Sequence, residues 1–423
     1  MTMIDVHPVA VTLNERTQTY SAAFQTSEQF HNGWQSVLKA AYGRADLRCG
    51  CRGPGLKRLA VKYYEGSDIF SLARFSLTGG EHSPDCQFYS ASPTQVGPGA
   101  SSSGVIDQQP DGSVKIRLEI GILERSTAAS PDGPVRKPSS RAPSVKQSSM
   151  KLLGLLHYLW DEAGLNQWKA AFAGKRRASL SYWWLNNAAD NVWAGQVKLV
   201  DQLLLAAFGA ETRESQRNRM RAEAALEANH RMLLIAPLAA FSPERFEAMA
   251  RQLKIGGFHG MPITFMQNGL WDSTVRRFPG AIAAWRSGHP VVVIAQVELK
   301  RGAKGVYASA VDLALMSITA EFIPVESSYE RAVADKLVQQ GRSFLKPMRY
   351  DASADLVLPD FILTDTRKEV PMEVFGRDDA EYLKRKEQKR AHYDAKYGCD
   401  GWWSWNACTN GAAAIMPEFP ARR

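Results

Sequence analysis

From residue 326 to 405 the apolar pattern reads as a helix (326–340), three strands (343–347, 356–364 and 370–375), a second helix (379–396) and a last strand (401–405). This α-β-β-β-α-β order is the strongest constraint the chain places on its own fold. Within it, Pro359-Asp360-Phe361-Ile362-Leu363 opens one apolar strand and Val370-Pro371-Met372-Glu373-Val374 forms the next. Asp360 and Glu373 thus end adjacent strands, at a separation a hairpin can bring within a few ångströms. Two carboxylates held side by side suit Mg²⁺ or Mn²⁺, hard cations that prefer carboxylate oxygen and retained water. Such a cation lowers the pKa of a bound water and neutralises charge on a phosphate under attack.

The flanking helices carry the rest of the expected site. On the first, Glu330 shares a face with Val333 and Leu337, so it is an acid pointing inward. On the second, Tyr382, Lys386, Lys389 and Tyr393 are spaced 4, 3 and 4 apart and share one face. Each signal has a plainer reading: a Pro-Asp turn, an edge glutamate, a solvated lysine face. Together they resemble the PD-(D/E)xK nuclease superfamily. That resemblance implies a restriction-endonuclease-like core in which Asp360 and Glu373 bind the catalytic metal, with the Val374 carbonyl a further ligand and Glu330 completing the site. It also implies a lysine two residues after Glu373, where this chain has Phe375. Lys386 or Lys389 is then the expected substitute, as in superfamily members whose lysine has migrated.

A second cluster lies near the N-terminus. Cys49-Gly50-Cys51 is followed, after 30 residues, by His82-Ser83-Pro84-Asp85-Cys86. Three thiols and one imidazole suit tetrahedral Zn²⁺, and a closed four-ligand set of this kind is usually structural. Gly50, Gly53, Pro54 and Gly55 supply tight turns around it. Between the two halves, Lys57, Arg58, Lys62, Tyr63, Tyr64 and Arg74 mix cations with aromatics. Such a mixture serves either a phosphate-contacting surface or a solvated strand pair. Cys399 and Cys408 have no histidine nearby and read as unliganded.

With 423 residues the chain exceeds what one core supports. It divides into an N-terminal zinc-binding, β-rich unit (1–125), a flexible Ser/Pro/Ala/Lys linker (126–150), a helical region (151–231), an α/β region (232–323) and the nuclease-like unit (324–423), a multidomain α+β protein. A further polar stretch, 97–112, reads as a loop within the first unit. Trp160, Trp168, Trp183, Trp184 and Trp193 fall at helical spacing and read as core. No apolar run approaches the roughly 18–20 residues that span a bilayer, and residues 1–13 lack a secretory signal pattern, so a cytoplasmic location and no membrane partner are expected. A net charge of +9 favours a polyanionic partner. No G-x-x-x-x-G-K-[ST] is present, which argues against ATP hydrolysis.

Beyond the individual sites, the chain is similar over most of its length to the bacterial domain-of-unknown-function family numbered 1173. The residues carrying this are the Cys49/Cys51/His82/Cys86 set, Leu155-Leu156-His157-Tyr158-Leu159-Trp160-Asp161-Glu162-Ala163-Gly164, Phe344-x-Lys346-Pro347-x-Arg349-Tyr350, and Pro359-Asp360 through Glu373-Val374-Phe375-Gly376. The resemblance implies a setting of plasmids and integrative elements, with conjugation or mobile-element proteins as possible partners. Two expectations follow. One is a metal-dependent nuclease acting on DNA. The other is a catalytically inactive nucleic-acid-binding or conjugation accessory protein with a structural zinc.

Overall fold

A computed structural model describes residues 6–64, 69–75, 78–83, 85–89, 105–109, 113–123, 149–303, 305–348, 358–377, 379–409 and 412–422. The linker expected at 126–150 falls, but for its last two residues, outside that set. So does most of the 97–112 loop.

The N-terminal unit is an antiparallel sheet in the order β2-β1-β3-β4-β5. Its strands are β1 (Val9–Leu13), β2 (Arg16–Tyr20), β3 (Asp46–Cys49), β4 (Arg58–Tyr64) and β5 (Ile69–Arg74). Asn14 and Glu15, both at positive φ, make the two-residue turn that matches the twist of β1 and β2. The helices α1 (Ala22–Thr26) and α2 (His31–Ala41) follow β2, and α2 buries Trp34 and Leu38 against Phe70.

The middle of the chain is built on two sheets that share one core. Strands β6 (Ile106–Gln108) and β7 (Val114–Ile116), within the stretch 1–125 assigned to the first unit, pack into this core instead, and then come α3 (Leu152–Glu162), β8 (Gln167–Trp168), α4 (Ala178–Ala189), β9 (Val192–Ala194) and β10 (Val197–Lys198). The first of the two sheets has the order β10-β9-β7-β6, so residues 106–116 pair with a hairpin some 80 positions later. The sequence alternates Val114, Ile116, Leu118, Ile120 and Ile122 as a strand would, yet β7 ends at Ile116, since only Val114–Ile116 finds a partner on β9. The alternation of buried and exposed side chains continues past it.

The larger sheet, β11-β12-β14-β15-β13, contains β11 (Leu203–Leu205), β12 (Met232–Pro237), β13 (Ile263–Met266), β14 (Val291–Gly302) and β15 (Gly305–Ser317). Around it lie α5 (Arg213–Glu227), α6 (Pro243–Ala248), α7 (Leu270–Arg277) and α8 (Pro279–Arg286). Helix α6 starts on a Ser-Pro cap, with the Ser242 hydroxyl accepting from Arg245 N–H and Pro243 in the first turn. This layer is mainly antiparallel, dominated by the β14–β15 hairpin, with parallel pairing only at its two edges.

The C-terminal sheet has the order β19-β18-β17-β16-β8. Its elements are α9 (Ser328–Gln339), β16 (Phe344–Leu345), β17 (Phe361–Leu363), β18 (Val370–Phe375), α10 (Ala380–Tyr397) and β19 (Trp403–Asn406), with β20 (Cys408–Thr409) and β21 (Ala412–Ala413) beyond. Strand β17 is antiparallel to both of its neighbours, β16 and β18, and β19 lies parallel to β18 across the α10 crossover. The fifth strand, β8, comes from residues 167–168, far away in the sequence. One face packs Phe344, Phe361, Leu363 and Met372 against Val333, Ala334 and Leu337 of α9. Each such side chain, fully buried, contributes about 1.5–3 kcal/mol. The other face meets α10 through Phe375, Tyr393 and Trp402. Among the described residues no helix is long and apolar enough to cross a membrane.

Candidate functional site

The N-terminal cluster forms where β3 ends. Cys49 is its last residue, Cys51 follows a tight turn, and His82 and Cys86 arrive on the segment after β5. All four side chains are buried and their donor atoms lie within 4.8 Å of one another. Cys49 Sγ and Cys86 Sγ are 3.7 Å apart, and His82 Nδ1 stands 3.6 Å from both Cys51 Sγ and Cys86 Sγ. That is too long for a disulfide. It is close to the edge of a tetrahedron around a metal at 2.3 Å from sulfur, about 3.8 Å. The set therefore fits a tetrahedral metal ion such as zinc.

Local backbone explains why the ligands converge. A side chain at Gly53 would stand 2.1 Å from the Glu81 carbonyl oxygen, so only glycine lets the turn pack on the His82 segment. Glu81 accepts from Lys57 N–H at 2.8 Å and closes the loop. Ser83 N–H and Phe88 N–H point at Cys51 and Cys86 sulfur at 3.4 and 3.5 Å. The hydrogen bond from Cys86, aided by His82, lowers the Cys49 thiol while the same bond and burial raise Cys86, so the pair shares a proton that a metal would displace.

Of the cations and aromatics between these ligands, Lys62 and Arg74 turn inward instead of making a surface. Lys62 donates to the Asn187 carbonyl at 3.4 Å, and Arg74 pairs with Glu162 at 3.4 Å and Asp161 at 3.8 Å. They join the N-terminal sheet to α3 and α4. Trp160 and Trp168 are core, as expected, whereas Trp183 is 39% exposed.

The second cluster lies on the C-terminal sheet. The register sets Phe361 opposite Met372, so Asp360 falls beside Glu373 and Val374 at the mouth of the strand pair. Asp360 N–H donates to the Met372 carbonyl at 2.9 Å, and its Oδ2 accepts from Val374 N–H at 2.7 Å. Glu373 is almost wholly buried. Lys389 Nζ donates to both its oxygens at 3.1 and 3.0 Å, and the Tyr393 hydroxyl donates to Oε1 at 2.7 Å. On the α9 side, Lys346 Nζ donates to Glu330 Oε2 at 2.8 Å and stands 4.0 Å from Asp360 Oδ1.

The buried Lys346 and the partly exposed Lys389 thus face two buried acids, Glu330 and Glu373, and the half-buried Asp360. Burial, reinforced by the charge of Glu373, pushes the Asp360 carboxyl up to about 6 despite Lys346 and Lys389. Burial pushes Glu330 up to about 7 against the pull of Lys346. Glu373 is raised by burial as well, less the effect of Lys389 and Tyr393. Burial alone would depress Lys346, but the summed charges of Glu330, Glu326 and Asp360 outweigh it and hold the ammonium above its usual range. Crowded acids of this kind hold protons that a cation can replace.

Asp360, Glu373 and Lys389 therefore come together, while Lys386 does not reach the acids. Its ammonium lies over the Phe375 ring, 5.1 Å from the centroid. Glu330 belongs to the same cluster through Lys346, yet the three acids do not converge within the distance that unites the cysteine–histidine set. Lys346 itself was not singled out by spacing. It follows the two-residue strand β16, and only its pairing with the buried Glu330 distinguishes it from a loop lysine. Tyr393 was placed on the right face of its helix, but its hydrogen bond to Glu373 was not foreseeable from spacing.

The fold and these two clusters define a mixed α+β protein with a cysteine–histidine site for a metal and, on a separate sheet, a buried acid–lysine cluster. The chain belongs to the family described as protein of unknown function DUF1173, whose model matches residues 20–408. No curated protein and no solved structure matches it.

Proposed function

We propose that this chain is a metal-dependent phosphodiesterase acting on DNA, that of mobile genetic elements by the family resemblance, with a structural zinc in its N-terminal unit. The observation that carries the reading is the meeting of Asp360, Glu373 and Lys389 on one strand pair. The order and pairing of elements support it. Helix α9 precedes three antiparallel strands, and α10 crosses over to a strand parallel to the third, as in PD-(D/E)xK nucleases. Zinc is favoured for the N-terminal set because thiolate and imidazole suit it and four protein ligands leave no open position for chemistry.

A divalent cation between Asp360 and Glu373 would acidify a water and neutralise phosphate charge. Val374 N–H fixes Asp360 Oδ2, which leaves Oδ1 directed toward Lys346. Tyr393 and Lys389 fix the Glu373 carboxylate. Lys389 is the cation placed to orient an attacking water in place of the lysine absent at position 375. One observation favours the rival, an inactive nucleic-acid-binding or conjugation accessory protein. Phe375 is 2% exposed and fills the position where the resemblance implies lysine.

The test is Mg²⁺- or Mn²⁺-dependent cleavage of labelled single-stranded, duplex and branched DNA, with Asp360→Ala, Glu373→Ala, Lys389→Met and Lys386→Met alongside. The proposal expects cleavage that the first three variants lose and that Lys386→Met keeps once DNA is saturating. DNA binding without cleavage, unchanged in the variants, would leave the accessory protein.

A further inference from the structure

We infer that Lys386 and Arg390, on the exposed flank of α10, form a rail that binds the phosphate backbone of a nucleic acid beside the acid–lysine cluster. This rests on the nuclease reading only for what the bound strand is delivered to. Several arginines elsewhere pair with carboxylates: Arg231 with Glu298 at 2.7 Å, Arg301 with Glu223 at 2.6 Å, Arg277 with Asp312 at 2.9 Å. On α10 two neighbouring cations stack on rings instead. Lys386 lies over the Phe375 ring at 5.1 Å and the Arg390 guanidinium over Trp402 at 5.9 Å. Among the described residues neither has a carboxylate within ion-pair distance.

Stacking on a ring fixes where a cation points without cancelling its charge. A carboxylate partner would neutralise it. The two side chains are four residues apart and share one flank of the helix, about 6 Å along its axis. Burial and the neighbouring Arg390 charge both hold the Lys386 amine below its usual range, consistent with two cations kept close and awaiting an anion. The rail is also in the right place. Phe375 is two residues from Glu373 on β18, and Lys389, on the adjoining face of the same helix, bonds Glu373 directly. A strand lying on Lys386 and Arg390 would bring a phosphodiester to the mouth of the Asp360–Glu373 pair. A polymeric phosphate backbone fits this geometry because it offers successive anions along a line.

The experiment is fluorescence anisotropy of the full chain with labelled duplex and single-stranded oligonucleotides, titrated across salt concentrations in EDTA so that cleavage cannot intervene. Lys386→Glu/Arg390→Glu is compared with wild type, and with Arg219→Glu as a charge reversal on a different surface. The double variant should bind roughly tenfold or more weakly at low salt. Its slope of log K against log salt should fall by about 1.8 for duplex or about 1.4 for single strands, the loss of two phosphate contacts. Lys386→Gln/Arg390→Gln, a milder change, should show the same reduced slope and guards against misfolding of the reversed variant. Unchanged affinity and slope in both double variants would overturn the rail, as would absence of any binding by wild type. If wild type cleaves DNA through Asp360 and Glu373 while the double variants bind normally, the rail alone fails and the nuclease reading stands.

Discussion

Replacing Lys346 by methionine tests the acid–lysine cluster most directly, because it removes one charge and little volume. The Lys346 side chain is 6% exposed and that of its partner Glu330 is 8% exposed. Besides Lys346, among the described residues Glu330 accepts only the Glu326 N–H, at 3.1 Å. Methionine fills the stem's space against Phe361 but leaves a buried carboxylate with one backbone donor. Breaking a buried pair from one side costs about 3–5 kcal/mol. At 2–4 °C per kcal/mol for a cooperative unit of 150–250 residues, the midpoint should fall by roughly 6–20 °C.

The loss should depend on pH. Glu330 already titrates near 7 with Lys346 present, and without it the carboxyl rises further. Protonation then offers a way out, so the penalty should be largest at pH 8 and above, shrink by up to about 1.4 kcal/mol per unit as pH falls toward 7, and level off below 7, where Glu330 of wild type protonates too. Glu330→Gln/Lys346→Met should recover most of the loss at pH 8, since no buried charge remains. The assay is urea unfolding followed by tryptophan fluorescence, with Trp403 and Trp405 reporting from the same core. A single variant within 0.5 kcal/mol of wild type at pH 8, or a penalty that ignores pH, would refute the reasoning.

Cys51→Ser should lose the N-terminal metal, read as a fall from one bound zinc per chain toward none by elemental analysis, and Gly53→Ala should do so nearly as well because its methyl meets the Glu81 carbonyl at 2.1 Å. Asp360→Asn should gain stability over wild type as pH rises. The folded pKa of Asp360 is raised from 3.8 to about 6, so its contribution is fully present below about pH 4 and is lost as pH passes 6. The difference, up to about 3 kcal/mol between pH 4 and pH 7, is measurable by denaturant unfolding at each pH. Asp365→Ala should destabilise the C-terminal sheet by about 3–5 kcal/mol, because it strips a buried bidentate partner from Arg342, at 2.9 and 2.8 Å, and a tail contact from Arg422 at 3.4 Å; a thermal shift under 2 °C would count against it.

By itself the sequence determined whatever depends on local pattern. Apolar periodicity placed β18 at 370–375 and α10 within a residue at either end, because side-chain alternation and helical spacing are properties of neighbours. The Cys-x-Cys and His-x₃-Cys pairs were legible for a related reason: metal ligands must come in chemically restricted types at short range, and those restrictions are written into the chain. Lys389 was one of two candidates on a face that spacing alone could define. Only the tertiary structure chose it over Lys386, since a difference of three residues on a helix decides which amine meets Glu373 and which stacks on Phe375. Lys346 became part of the cluster only when β16 paired with β17 and brought it to Glu330, 16 positions earlier. The same holds for Gln167–Trp168, which join the C-terminal sheet from the far side of the middle region, and for Lys62 and Arg74, which turn inward as contacts to α3 and α4. Charge has no periodicity to betray its partner. Which cation meets which acid is settled by burial, where an unpaired charge is too costly to leave alone, and burial is a property of the assembled fold.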